Sequence, residues 1–316
     1  MLRQITLFLG EYTIMKIFGS GKAAFVCRVV LVCVIFALTL AACISGALAV
    51  SGDNVETRYL PDVAATVVFK VTLTAAIAVS VLLLFVPERR KADLGNKKSV
   101  GEETVDAESD AADEQPLEAS DTIPSSSSRA TRTRSAALIY TFLVSAICSL
   151  YVFIFALTDE SLGSWGNAVM ITALITALFF LFKISPRFPI GTVVCGFGAF
   201  AFASVVIASL YLDHVIEINS DFKLLVQFGA AGLIISVIAD IRRAFSRISA
   251  RWFIPLKMIA FIICSVCPAV ILSLPSIDGI VFPECYSAYS WLYLACAVSF
   301  ALEVIAELLA DRSRRI

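Results

Sequence analysis

Eight stretches of predominantly apolar residues recur along the chain, at 29–50, 63–86, 136–157, 161–182, 190–212, 222–241, 253–274 and 286–305. A hydrocarbon core about 30 Å thick takes roughly 20 residues of helix, because a backbone without water must satisfy its own hydrogen bonds. Every stretch reaches that length, and together they occupy over half of the 316 residues. The runs are continuously apolar rather than alternating, which excludes the strand pattern of a membrane barrel. At 59% apolar and 16% charged, the chain lies far from the soluble average of about a quarter charged. The predicted fold is all-α: a polytopic membrane protein of about eight transmembrane helices.

The basic residues give a direction. With the N-terminus inside and the spans alternating, 22 of the 25 Lys and Arg fall in inner segments, leaving Arg58, Lys70 and Lys223 for the outer side. The outer turns carry acids instead, among them Asp53, Glu56, Asp159, Glu160, Asp213 and Glu217. Lys and Arg are retained on the cytoplasmic face, so both termini are expected there. Five regions follow: a basic N-terminus (1–28), a transmembrane hairpin (29–86), an inner loop (87–135), a six-helix domain (136–311) and a basic tail (312–316), a two-plus-six arrangement. The loop is acidic at 101–121 and carries the serine run Ser125–Ser128. Low hydropathy and high charge predict disorder. Its basic flanks, Arg89–Lys98 and Arg129–Arg134, are suited to anionic lipid. The segment 241–252 predicts an amphipathic helix on the inner membrane surface. The expected partners are therefore the bilayer and its anionic lipids; a protein partner or small solute stays unspecified. A net charge of −1 gives no overall basic signal for nucleic acid, and none is expected as a partner.

Few residues point to chemistry. No Walker loop, dinucleotide fingerprint, zinc spacing or nucleophile elbow occurs, and one histidine makes a His-built metal or catalytic site improbable. No catalytic residue, cofactor or metal is expected on those signatures. Cys264 and Cys267 have the one redox-like spacing, inside the seventh span. A membrane thiol oxidoreductase places such a pair against lipid, where a quinone dissolves. Leu40-Ala41-Ala42-Cys43 matches a lipoprotein cleavage box and Ala47-Leu48-Ala49 a signal-cleavage pattern. The run 29–50 is longer than a signal core of about 7–15 residues, which favours a retained helix; cleavage at Cys43 or Ala49, and a start at Met15, stay open. Gly196, Gly198, Ala199 and Ala203, and likewise Gly229 and Gly232, read as small-residue seams for close helix contact.

Ionisable groups at membrane depth are costly, so each is a functional candidate. Lys70 is the deepest basic one, with a stem long enough to reach the outer interface; Gln227 is a weaker polar candidate. Glu303, Glu307 and Asp311 repeat at i, i+4, i+8, as do Arg243, Arg247 and Arg251. Residues at that spacing share a helix face. The spacing predicts a charge network at the inner ends of spans six and eight, joined by Asp240 and Lys257, with Glu303 paired to Lys257 or one of the arginines.

The pattern resembles that of small multi-pass bacterial membrane proteins, which implies the cytoplasmic (inner) membrane of a bacterium and nothing about a substrate. Three function classes remain: a small permease or transport-associated component, a non-enzymatic membrane scaffold or accessory protein, and a thiol oxidoreductase using Cys264 and Cys267. The predicted topology has a direct check. Cysteines introduced at positions 110 and 313 should resist a membrane-impermeant reagent in intact cells and react after permeabilisation; reaction in intact cells would reverse the orientation.

Overall fold

The computed structural model describes residues 21–50, 60, 64–86, 136–158, 160–185, 188–212, 220–246, 250–274 and 284–313. Among them there are eight long helices and no strand. They are α1 (Gly21–Val50), α2 (Ala64–Leu82, prolonged by a 3₁₀ turn at Leu83–Phe85), α3 (Ala136–Thr158), α4 (Gly166–Ile184), α5 (Pro189–Leu212), α6 (Asp221–Ser246), α7 (Ala250–Ile271) and α8 (Glu284–Ser313). All eight are long and apolar enough to cross a membrane. They belong to one compact unit; the second unit, Arg89–Thr133, lies outside the described residues, as does the whole loop 87–135.

Within that unit, chain neighbours are neighbours in space from α3 to α8, and α8 returns to pack on α3 as well as on α6 and α7. The α1–α2 hairpin leans on α7. Its contacts include the Phe36 and Phe261 rings, 4.9 Å apart and edge to face, and a small apolar cluster of Val32, Ile35, Ala76, Ile254, Met258 and Val304. Surfaces turned away from these contacts stay apolar, with Leu40, Leu48, Val194 and Phe197 all exposed. Hydrocarbon solvates such faces as well as a core would, so the drive to pack comes from close fit and internal hydrogen bonds. Ser145 and Ser299 join α3 to α8 by a 3.0 Å hydroxyl contact. Gln227 donates from α6 to the carbonyl of Ile207 on α5 at 3.3 Å.

The glycine seams receive chiefly side chains of other helices. A Cβ on Gly229 would run into the Tyr293 ring, and one on Gly232 would lie 2.8 Å from the Cys264 sulfur. On α5, a Cβ at Gly198 would collide with Ile175 of α4. Small residues here therefore make room for partners projecting from the next helix.

Two local expectations are corrected. The fourth helix begins at Gly166 rather than at 161, because a 3₁₀ segment Glu160–Trp165 precedes it and Gly163 has φ +51°. That conformation is open to glycine and strained for other residues, so the α-helix starts after it. The described residues of 241–252 do not form a separate surface helix. Residues 241–246 prolong α6 and 250–252 open α7. Arg243 explains the straight exit: its guanidinium stacks 4.2 Å from the Phe253 ring of α7 and pairs with Glu307 of α8, which ties the end of α6 to both neighbours.

Candidate functional site

The late turns of α4, α6 and α8 meet the first turns of α7, so those three helices run in one direction and α7 against them. We call this level the basic end. Each helix brings charge to it: Lys183 from the last turn of α4, Asp240 from α6, Lys257 from α7 and Glu303 from α8. These four side chains close into a ring. The Lys183 ammonium lies 2.7 Å from Asp240 Oδ2 and 2.6 Å from Glu303 Oε1. The Lys257 ammonium lies 2.8 Å from the same Asp240 oxygen and 2.7 Å from Glu303 Oε2. Positive and negative groups alternate, and the ring is neutral as a whole.

Both lysines donate to Asp240 Oδ2, and Lys257 donates in addition to Ser236 Oγ at 2.7 Å, one turn before Asp240 on α6. Glu303 Oε2 is close to the Lys257 ammonium but off its donor directions. Each acid thus touches both ammonium groups, Asp240 through one oxygen and Glu303 through its two.

Water is nearly excluded. The Lys257 side chain is 0% exposed, Lys183 3%, Asp240 8% and Glu303 11%. Aromatic faces supply the collar. Lys183 sits 4.7 Å from the Phe142 centroid and Lys257 4.8 Å from that of Phe300, with Phe179 and Phe253 each at 5.5 Å. A cation over a ring face gains about 0.5–2 kcal/mol as it is desolvated. Taking each charge out of water costs more than this, several kcal/mol per ion, and only close opposite charges offset it.

Of the residues expected to form a network, the structure brings together Asp240, Lys257 and Glu303 in the ring, and Arg243 with Glu307 beside it. Lys70 is exposed on α2 and stands apart from the ring. Arg247 and the side chains of Arg251 and Asp311 lie outside the described residues. Two members were missed in the sequence. Lys183 reads as an inner-loop cation, although it ends an otherwise apolar helix, which was the signal available; Ser236 reads as part of a small-residue seam. Cys264 and Cys267 are both buried, at 0% and 1% exposure. Their thiols go to separate partners, the Gly229 carbonyl at 3.5 Å and the Ser290 hydroxyl at 3.9 Å. Neither faces lipid, as a quinone-coupled pair requires.

The chain matches no family model, no curated protein and no solved structure. The functional reading therefore rests on its own residues.

Breaking the ring has a calculable consequence. Glu303→Gln leaves two ammonium groups against one carboxylate in a dry site, and removing one partner of a buried pair costs about 3–5 kcal/mol. Adding Lys183→Gln restores neutrality and should recover part of that loss. Arg243→Gln, at a pair whose arginine is 41% exposed, should cost only about 0–1 kcal/mol. Thermal unfolding in one detergent measures all three; a Glu303→Gln loss no larger than that of Arg243→Gln would contradict the ring's role.

Proposed function

We propose that the chain is a small permease or transport component of the cytoplasmic membrane, in which the four-helix charge ring is a gate near the cytoplasmic side. The single observation behind this reading is that four nearly dry charges, one from each of four spans, meet in one closed neutral set. For stability alone, well-packed apolar side chains of similar volume serve as well or better. A charge ring adds something an apolar cluster lacks: one proton unbalances it. With Glu303 neutral, the set carries a net positive charge and two ammonium groups share Asp240. At low dielectric, like charges a few ångströms apart repel strongly.

The two lysines differ in freedom. Lys257 is completely buried and held by Ser236 as well as by Asp240. Lys183 is in the last turn of α4, where the backbone turns extended at Ser185. Lys183 is therefore the group that withdraws toward water, and its departure parts α4 from α6 and α8. Both termini lie on that same side in this reading. Arg242, exposed with Phe245 and Trp252 near the helix ends, meets anionic headgroups there.

A second reading, a membrane scaffold, is favoured by one observation: every ring member has a partner, so the same set serves equally as a permanent latch. Cys296 separates the two. It is buried two turns beyond Glu303 on α8. In the gate reading, Glu303→Gln imitates the protonated acid and admits water, so a small hydrophilic methanethiosulfonate reagent should modify Cys296 in the variant and not in the wild type, at unchanged helix content. Peptide mapping locates the label. A Cys296 that stays unreactive in folded Glu303→Gln protein would leave the latch standing and the gate refuted.

A further inference from the structure

Helix α6 has 26 residues, a length of about 39 Å at 1.5 Å per residue, against a hydrocarbon core of about 30 Å. At least one end of it therefore passes the hydrocarbon, and Arg242 with Arg243 marks the basic end as one that does. Arg242, Arg243 and Phe245 are all exposed there, and so is Trp252 in the first turn of α7. The two aromatic side chains are 71% and 52% exposed. Aromatic rings beside cations at the level where a helix leaves hydrocarbon suit the headgroup layer, which solvates both.

Arg243 is held in one pose. Its guanidinium stacks 4.2 Å from the Phe253 centroid, and Nη2 donates to Glu307 Oε2 on α8. The Glu307 side chain is nearly buried, whereas that of Arg243 is 41% exposed. A guanidinium has five N–H donors in one plane, and stacking engages its face rather than those donors. With Nη2 committed to Glu307, the exposed part of the plane presents a preorganised edge. Such an edge binds a phosphate through paired, charge-assisted hydrogen bonds.

We propose that the end of α6 and the start of α7 form a binding site for one anionic phospholipid, with its phosphate on Arg243 and Arg242 and its chains against Phe245 and Trp252. The exposed rings favour a lipid over a soluble phosphate, which has no apolar part to place on them. Glu307 and Phe253 are positioning residues: they orient Arg243 and leave the lipid to it. The site requires only that the basic end lies at a membrane surface, and it stands whether the ring gates or latches.

The test uses the full chain in vesicles of phosphatidylcholine, with Trp165 and Trp291 replaced by Phe so that Trp252 is the one tryptophan. Phosphatidylglycerol or phosphatidylcholine brominated on its chains is added at equal mole fraction, and quenching of Trp252 reports which lipid sits beside it. Brominated phosphatidylglycerol should be preferred by about fivefold or more at physiological ionic strength, the order that a basic residue at a membrane surface supplies. Arg243→Lys keeps the charge but loses the fork and the stack, so it should remove most of the preference at unchanged helix content. Phe253→Leu, which leaves every charge in place, should weaken it in the same direction. Equal quenching by the two lipids would overturn the site. A preference unchanged in both variants would do so too, since diffuse surface charge would then account for it. Inorganic phosphate at matched ionic strength should leave the preference intact; its loss would assign the arginines to a soluble phosphate and overturn the lipid.

Discussion

An ammonium group inside packed apolar helices is tolerable only while a carboxylate touches it, and this requirement fixes how four of the spans are arranged. Lys257 has no water to retreat to, so Asp240 and Glu303 must come to it, and with them α6 and α8. Lys183 brings α4 to the same two acids. In a membrane, apolar burial distinguishes poorly between one helix face and another, because lipid accepts either. Charge pairing does distinguish. It specifies which face of each helix turns inward and at what height the four meet.

The remaining contacts fit around that arrangement. Gly229 and Gly232 clear space on α6 for the Tyr293 ring and the Cys264 thiol, and Ser145 with Ser299 pins α3 against α8. Helix α8 thereby carries two kinds of surface: a hydroxyl contact toward α3 and a seam of phenols, a thiol and acids toward the interior. The α1–α2 hairpin stands outside the ring and contributes none of its charges. Arg28, buried near the start of α1, donates instead to the Val86 carbonyl just past α2, at 3.3 Å.

Much of the helical layout is legible in the sequence, because length and hydropathy suffice to mark a span. The expected stretches and the observed helices agree in number, but α1 starts eight residues before the stretch at 29, α8 runs eight residues past 305, and α4 starts late, after Gly163. The i, i+4 series of Glu303 and Glu307 places both acids on one helix face, and the structure turns that face toward basic partners on α6 and α7. Lys183 was not legible as a ring member. Counting charges assigns it to a loop, and only the return of α8 across α4's end shows its partners.

The central claim is that the ring is ionised, with both acids charged and both lysines protonated, inside the membrane domain. Infrared difference spectroscopy on the purified protein measures this directly, by comparing wild type with Asp240→Asn and with Glu303→Gln. Each substitution should remove ionised-carboxylate stretching bands from the wild-type spectrum and no carbonyl band of a protonated acid. Loss of a protonated-acid band at either position would mean that the ring is held by neutral hydrogen bonds, and the account of its assembly by charge would fail.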